Sequence, residues 1–237
     1  EEYDARKELG DWNRAGYDDT NWIPAGRVSI PSGTLRAQMM PDMKVTESLK
    51  PVSIRKQGDK QILDIGQNMA GWLRIRIKGQ AGDSIRLRFA ERLQPDGEIF
   101  TKNLRDAHCT DIYVVSGREP QDATWAPRFV YHGFRYVEIS GYPNAKTEDF
   151  TAEVVDDEMA HTGTFTCSDE TLNQVLRNAF WGIRSNYKGM PVDCPQRNER
   201  QPWLGDHAMG SWGESLFFNN HALYNKWTRY IREAQRE

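Results

Sequence analysis

The segment Leu73-Arg74-Ile75-Arg76-Ile77-Lys78 alternates apolar and basic side chains, and Ile85-Arg86-Leu87-Arg88-Phe89 repeats the pattern. Successive side chains of a strand point to opposite faces, so this period of two predicts two strands with one buried and one solvated face. Between them, Gly79-Gln80-Ala81-Gly82-Asp83 supplies turn residues. The sequence therefore predicts that the two strands form a hairpin.

Further strand candidates extend this β region on both sides. They are short, punctuated by Gly and Pro, and have no helical pattern between them, which indicates an antiparallel β-sandwich of the jelly-roll or lectin-like kind. The additional candidates are Gln61 to Ile65, Asp111 to Val115, Phe129 to Ile139 and Ala152 to Val155.

The apolar period changes to a helical one near residue 160. Ser168 is the expected N-cap of a first helix, and Gly189 and Pro191 stop it. A second helix is predicted from about His207 to Phe218, and a third begins near His221. The predicted inward positions are Leu172, Val175, Leu176, Ala179, Phe180 and Ile183 in the first helix, Met209, Trp212 and Leu216 in the second, and Leu223, Trp227, Tyr230 and Ile231 in the third.

Composition bounds the class of protein. The 237 residues are 38% apolar and 11% aromatic, which is enough for a sizeable core, and the net charge of −3 gives no strong attraction to nucleic acid or anionic membranes. No apolar run approaches the roughly 20 residues of a membrane span. Cys109, Cys167 and Cys194 show neither zinc-ligand spacing nor a disulfide framework, so we expect free thiols that pack as small side chains.

One loop between the first two helices concentrates chemical groups. The stretch Asp193-Cys194-Pro195-Gln196-Arg197-Asn198-Glu199-Arg200-Gln201-Pro202-Trp203-Leu204-Gly205-Asp206 contains three carboxylates, two arginines and a tryptophan. Its prolines and glycine favour a shaped loop over a long helix. Carboxylates and guanidinium groups beside an indole plane suit a sugar pocket, because they bind hydroxyls while the ring stacks. A solvated acidic-basic loop has much the same composition, so composition alone leaves both interpretations open.

The loop resembles the signature of the bacterial α-L-rhamnosidases, glycoside hydrolase family seventy-eight. That family usually reads Asp-Cys-Pro-Gln-Arg-Asp-Glu-Arg-Leu-Gly-Trp-Thr-Gly-Asp, and this chain departs from it at Asn198, Gln201-Pro202 and Leu204. Three upstream segments also resemble the family, in order along the chain. They are Asp64-Ile65-Gly66-Gln67-Asn68-Met69-Ala70-Gly71-Trp72, Phe89-Ala90-Glu91 and Tyr131-His132-Gly133-Phe134-Arg135-Tyr136.

The resemblance implies an inverting glycosidase that releases terminal α-L-rhamnose from glycans or glycosides, without an organic cofactor. On the family's pattern Glu199 matches the general acid, Asp193, Arg197 and Asp206 bind sugar hydroxyls, and Trp203 lines the sugar subsite. The implied partner is a carbohydrate substrate. Two alternatives remain: a carbohydrate-binding β module without activity, or an (α/α)6 hydrolase acting on another sugar.

Each of these residues also has a structural interpretation. Glu199 could pair with Arg197 or Arg200, Asp206 could be the N-cap of the second helix, and Trp203 could belong to the core. A metal site from Asp193, Glu199, Asp206 and His207 is not expected, because their spacing matches no recognised metal motif. His132 is expected to be a sheet histidine satisfied by hydrogen bonds.

The resemblance also implies a division of the chain. Residues 1–45 are expected to be the end of an N-terminal β domain and linker, residues 46–160 the β-sandwich, and residues 161–237 the first helices of an (α/α)6 catalytic barrel. We expect the rest of that barrel, with the second catalytic carboxylate, to lie beyond residue 237. The N-terminus is also expected to be incomplete, so the sequence fixes neither compartment nor oligomeric state.

Overall fold

The computed structural model describes residues 1–30 and 33–235. Strands dominate the chain up to Asp157, and three helices follow. The strands are β1 (Glu2–Asp4), β2 (Met43–Leu49), β3 (Ser53–Gln57), β4 (Lys60–Arg76), β5 (Ser84–Ala90), β6 (Arg92–Leu93), β7 (Ile99–Phe100), β8 (Thr110–Val114), β9 (Thr124–Trp125), β10 (His132–Ser140) and β11 (Phe150–Asp157), the helices are α1 (Glu170–Ser185), α2 (Leu204–Glu214) and α3 (His221–Ala234), and short 3-10 turns span Ala5–Lys7, Lys102–Leu104 and Thr147–Asp149.

Most strands join one curled sheet in the order β1-β8-β5-β10-β4-β11-β2, with β3 and β9 also paired to β4. Every pairing in this sheet is antiparallel except β1 with β8. The alternating apolar side chains lie inside the curl and form its core, so the predicted antiparallel β region is confirmed. The largest fully buried side chains include Leu63, Leu73, Ile75, Ile85, Leu87, Phe89, Phe134, Ile139 and Phe150.

The predicted hairpin between β4 and β5 is wrong. These strands do not pair with each other, because β10 lies between them: Val137 is opposite Leu63 of β4 on one side and Phe89 of β5 on the other. The glycines that suggested a hairpin turn, Gly79 and Gly82, do lie at positive φ. The tight turn therefore reverses the chain but does not pair the two strands. A strand more than 40 residues later, β10, forms the hydrogen bonds to both of them.

Strand β4 shapes the edge that meets the helices. Its first half pairs with β3, its second half pairs with β11, and β10 pairs with parts of both halves. Between the halves, Gly66 has φ +83°. Glycine adopts this left-handed conformation without a steric clash because it has no Cβ. The register to β10 shifts nearby, between Phe134 and Tyr136. This irregularity places Gln67 and Asn68 at the surface beside the loop that follows α1.

Helix α1 begins one residue later than its predicted cap implies. Asp169, not Ser168, is the N-cap, and its side chain accepts hydrogen bonds from the N–H groups of Thr171 (2.8 Å) and Leu172 (3.3 Å). Only part of the predicted apolar stripe of α1 is packed against other elements. Phe180 and Ile183 pack in a small core with α3, whereas Leu172 and Val175 are exposed.

Helix α2 starts before His207, and its predicted inward face is wrong. Met209 and Trp212 are 89% and 82% exposed. The buried position of this helix is His207, whose ring lies 5.6 Å from that of Trp227 in α3. Helix α3 follows the prediction in part: Leu223 and Trp227 are buried, whereas Tyr230 is 42% exposed. No helix in the described part of the chain is both long and apolar enough to cross a membrane.

Candidate active site

The loop between α1 and α2 is closed on itself by the backbone. The N–H of Asp193 donates to the carbonyl of Gln201 (3.0 Å), and the N–H of Gln201 donates back to the carboxylate of Asp193 (2.6 Å). Arg200, next to this closure, has φ +52°. The closed loop holds the residues between its two ends in a compact turn, as the prolines and the glycine predicted.

Four of the predicted site residues come together inside this turn. Arg197 donates from Nε to Oε2 of Glu199 (2.8 Å) and from Nη2 to Oδ2 of Asp193 (3.2 Å). The indole Nε1 of Trp203 donates to Oε1 of Glu199 (3.0 Å). The structure thus joins Asp193, Arg197, Glu199 and Trp203 in one hydrogen-bonded cluster. The Arg197–Glu199 ion pair considered from sequence is present and lies inside that cluster.

Asp206, the fifth predicted residue, makes no hydrogen bond or ion pair with the cluster among the described residues. It is exposed in the first turn of α2, and Trp203 occupies the N-cap position, so the N-cap interpretation of Asp206 is wrong. A carboxylate there still faces the positive end of the helix dipole. Trp203 is 49% exposed and is therefore not a core residue.

Arg200 connects the loop to the β region of the chain. Its Nη2 donates to the carbonyls of Tyr131 (2.8 Å) and Pro195 (2.9 Å), and its guanidinium lies 4.0 Å from the centre of the Tyr131 ring. Cys109 adds a contact from its Sγ to the carbonyl of Gln196 (3.0 Å). These contacts attach the turn to the residues that immediately precede β10 and β8, which limits the motion of the cluster.

A second arginine reaches Glu199 from the β domain, the strand-rich part of the chain up to Asp157, and no sequence motif pointed to it. Arg105 places Nη1 3.1 Å from Oε2 of Glu199. The next residue, Asp106, accepts a hydrogen bond from the Asn198 amide at 3.4 Å. Asn198 is the position where the related signature has an aspartate, and here the amide avoids opposing two carboxylates.

Burial and hydrogen bonding shift the titration of several groups in the turn. Burial raises the pKa of Asp193, but the hydrogen bonds it accepts from Cys194 and from the N–H of Gln201 outweigh this and lower it overall. Burial, followed by the bond to Asp193, raises the pKa of the Cys194 thiol. The bond to Glu199 raises the pKa of Arg197. Asp193 and Arg197 are accordingly charged partners around neutral pH.

The cluster is a poor fit for a metal ion. One oxygen of Asp193, the Sγ of Cys194 and one oxygen of Glu199 lie within 4.8 Å of one another. However, Arg197 donates to both carboxylates, and the raised pKa of Cys194 disfavours the thiolate that a metal needs. His207 does not join these residues and faces Trp227 instead.

A polar cleft of about 390 Å³ opens beside the cluster, between the sheet and α1. Asp193 and Arg197 form one wall of it, and Trp181 of α1 forms another. Two amide oxygens in buried positions, Oδ1 of Asn186 and Oε1 of Gln196, have no hydrogen-bond partner there. The sheet side is lined by Gln67, Asn68 and Glu91, which come from the upstream segments singled out in the sequence.

His132 has the structural role predicted for it. It is 3% exposed, its Nε2 lies 3.0 Å from both carboxylate oxygens of Asp111, and its ring stacks on Phe89 with centroids 4.0 Å apart. The three cysteines are free thiols, with Cys109 and Cys194 buried.

Comparison with known proteins matches nearly the whole chain to one family in three consecutive parts. The α-L-rhamnosidase N-terminal domain matches residues 1–47, and the bacterial α-L-rhamnosidase concanavalin-like domain matches residues 54–156. The bacterial α-L-rhamnosidase 6 hairpin glycosidase domain matches residues 160–237. The order of these domains agrees with the curled sheet followed by three helices.

Individual relatives agree with the domain matches. A curated alpha-L-rhamnosidase of Streptomyces avermitilis is 38% identical over 246 residues, which cover 99% of this chain and 23% of that protein. The structure of an alpha-L-rhamnosidase from Dictyoglumus thermophilum superposes with a TM-score of 0.95 at 37% identity, covering 100% of this chain and 27% of that one. The Streptomyces avermitilis alpha-L-rhamnosidase complexed with L-rhamnose gives 0.94 at 35% identity, covering 100% and 23%.

The chain belongs to the bacterial α-L-rhamnosidase family. The resemblance inferred from the signature loop and the upstream segments is thereby confirmed, together with the predicted fold class. The chain spans about a quarter of the length of the curated relatives it matches.

Proposed function

We propose that this chain supplies the general acid and part of the sugar subsite of an inverting glycosidase that releases terminal α-L-rhamnose. The observation that carries the proposal is the cluster in which Arg197 links Asp193 to Glu199 while Trp203 contacts the other oxygen of Glu199. Glu199 would protonate the leaving oxygen, and Asp193, Arg197, Trp203 and Asp206 would bind the sugar. The rhamnose complex of a relative in this family supports the choice of sugar.

Asp193 does not have the position of the second catalytic carboxylate. Inverting glycosidases hold their two carboxyl groups roughly 6.5–9.5 Å apart, so that a water molecule fits between them. Asp193 and Glu199 bring oxygens within 4.8 Å of each other, and the guanidinium of Arg197 occupies the space between them. We therefore assign Asp193 to sugar binding and expect the base on another segment of the helical domain.

The Glu199→Gln variant tests the acid role in the protein expressed with its complete catalytic domain. Glutamine keeps the size and the acceptor oxygen but has no proton to transfer. We expect kcat on a rhamnosyl disaccharide to fall about 10²–10⁴-fold, with a much smaller fall on 4-nitrophenyl α-L-rhamnoside, whose leaving group needs little protonation. Steady-state kinetics on both substrates measure the difference.

Equal losses on the two substrates, or none, would show that Glu199 is not the acid. A panel of nitrophenyl glycosides on the unmodified protein separates rhamnose from other sugars. Preference for a different glycoside would keep the acid role and overturn the choice of rhamnose.

A second candidate function rests on an aromatic cleft of about 700 Å³ on the β domain. Trp12, Trp72, Trp125 and Phe129 line it, and Phe129 is 93% exposed. Aromatic planes beside Arg74 suit carbohydrate stacking, so this face is a candidate sugar-binding surface without catalysis. Titration of the 237-residue chain with L-rhamnose, followed by tryptophan fluorescence, compares Trp12→Ala with Trp203→Ala. Loss of binding in the first variant alone favours a binding module.

A further inference from the structure

One short segment of the β domain contacts the candidate catalytic turn at three points. Arg105 reaches Glu199, Asp106 accepts from Asn198, and the thiol of Cys109 donates to the carbonyl of Gln196. The segment is 87 or more residues away from the turn in sequence, so its approach is set by the tertiary fold. The β domain is thus part of the immediate surroundings of Glu199.

The backbone at Arg105 is held in an unfavourable conformation. Its φ is +56° and its ψ is −124°, directly after the 3-10 turn Lys102–Leu104. Leu104, which is 2% exposed, fixes that turn in the core of the β domain. A glycine would adopt this positive φ without strain, whereas an arginine pays for it in free energy. Strain of this kind at a surface arginine points to a role for the side chain.

The two oxygens of Glu199 have different surroundings. Oε2 accepts from Nε of Arg197 (2.8 Å) and lies 3.1 Å from Nη1 of Arg105. Oε1 has one neutral donor, the indole of Trp203 at 3.0 Å, on the more open side of the turn. Guanidinium groups are donors only, so a proton on Oε2 would point at two cations. A proton on Oε1 meets one neutral donor, the indole of Trp203, and no cation.

We propose that Arg105 is a positioning residue that, together with Arg197, fixes Oε2 of Glu199 so that the transferable proton is carried on Oε1. This inference rests on the proposed acid role of Glu199. In the reaction the proton passes from Oε1 to the glycosidic oxygen, which keeps the electron pair of the breaking bond to the sugar. Water adds to the sugar carbon and gives its proton to the second carboxylate. The carboxylate left on Glu199 is then matched by both guanidinium groups.

The test uses Arg105→Gly and Arg105→Lys in the protein with its complete catalytic domain. The glycine variant removes the guanidinium and relieves the positive φ at the same position. We expect its kcat on a rhamnosyl disaccharide to fall about tenfold or more with little change in KM, and its kcat on 4-nitrophenyl α-L-rhamnoside to fall much less. Its melting temperature should stay the same or rise. Lysine should restore part of the lost rate.

Arg86→Ala is the matched control, because Arg86 is an exposed arginine of β5 on the same domain. It should leave all these quantities unchanged. If Arg105→Gly keeps full kcat on the disaccharide, or loses equally on both substrates, or mainly lowers the melting temperature, the inference is overturned. If Glu199→Gln is itself active on both substrates, the proposed function fails and takes this inference with it. Failure of the Arg105 variants alone leaves the acid role standing.

Discussion

At the scale of single residues, Lys188 is a buried amine whose pKa is set mainly by its burial. Its side chain is 9% exposed and lies between the sheet and the helices. The ammonium of Lys188 donates to the backbone carbonyl of Tyr187 (3.2 Å), and it lies 5.4 Å from the centre of the Tyr131 ring. Burial lowers the pKa of Lys188 to about 8, although Asp156 and Asp157 act in the opposite direction.

Lys188 should therefore make stability increase at alkaline pH. Between the folded pKa of about 8 and the unfolded value of about 10.4, the unfolded chain binds a proton that the folded protein has released. The free energy of unfolding then rises with pH, by up to about 1.4 kcal/mol per pH unit from this group. Below pH 8 both states are protonated and the contribution is flat. Lys188→Met should lose this rise.

Urea unfolding at pH 7.5, 8.5 and 9.5 measures the effect as the difference between wild type and variant. Lys56→Met is the control, since Lys56 is exposed on β3 and the substitution is the same. Parallel pH dependence of wild type and Lys188→Met would mean that the lysine remains charged in the fold throughout this range.

The site residues that lie close together in sequence could be predicted, whereas Arg105, which is distant in sequence, could not. Asp193, Arg197, Glu199 and Trp203 lie within one short turn, so a local motif suffices to group them. Arg105 reaches Glu199 from 94 positions away, and nothing in its own neighbourhood differs from an ordinary surface loop. Its partner is decided by which strands become neighbours in the sheet.

At the scale of elements, the approach of β10 to the catalytic turn depends on Gly133. A Cβ added at this position would lie 2.8 Å from Cγ of Pro195, 2.9 Å from Cβ of Gln196 and 3.0 Å from the backbone N of Gln196. A proline ring and a backbone atom cannot move aside as the end of a flexible side chain can. The absence of a side chain at residue 133 thus lets the turn rest on the strand.

We expect Gly133→Ala to displace the turn, lowering both stability and sugar affinity. Overpacking of this kind costs about 1–3 kcal/mol. Gly182→Ala is the control, because nothing lies within 4 Å of a Cβ there and alanine favours the interior of α1, by about 1 kcal/mol. Thermal melts and rhamnose-binding calorimetry on both variants measure the outcome. A Gly133→Ala protein that binds like wild type would show that the contact does not position the turn.

Patterns of apolar residues predicted which elements form better than how they pack. The period of two predicted β4 and β5, and the further strand candidates overlap β4, β8, β10 and β11, yet the order of these strands in the sheet depends on contacts far apart in sequence. Helix α2 shows the same limit. Its apolar residues Met209 and Trp212 suggested the inward face, but the helix is attached through His207, whose polar ring carries no hydrophobic signal.

At the scale of the whole molecule, Arg184 joins the helices to the sheet. It is 8% exposed near the end of α1, and its Nε donates to Asp156 of β11 at 2.6 Å. Its Nη2 donates to Thr46 of β2 (2.8 Å), and Nη1 pairs with Glu47. Asp156 is 5% exposed, whereas the side chain of Glu47 is 41% exposed, so the bond to Asp156 carries most of the energetic weight.

Removing Arg184 should loosen the connection between the two parts of the chain. In Arg184→Met the stem is kept, but buried Asp156 loses its ionic partner and keeps only the hydrogen bond from the Thr46 hydroxyl (2.7 Å). Removing one member of a buried ion pair typically costs about 3–5 kcal/mol. We expect urea unfolding to lose coincidence, so that the helical signal in far-ultraviolet circular dichroism and the fluorescence of tryptophans in both sheet and helices no longer follow one transition. Arg177→Met on the exposed face of the same helix removes the exposed pair with Glu170 and the hydrogen bonds to Gln174, and it should change stability by about 0–1 kcal/mol.

The expected loss of stability in Arg184→Met comes from the buried carboxylate of Asp156, which has lost its ionic partner. Removing that carboxylate as well should therefore reduce the loss. Arg184→Met combined with Asp156→Leu should recover much of the stability lost by Arg184→Met alone, because neither charge then remains buried without a partner. The two unfolding signals should also coincide again. If the double variant is as unstable as the sum of its two single changes, the junction depends on the shape of the arginine and its stacking 4.9 Å from the centre of the Trp181 ring, and not on the buried ion pair.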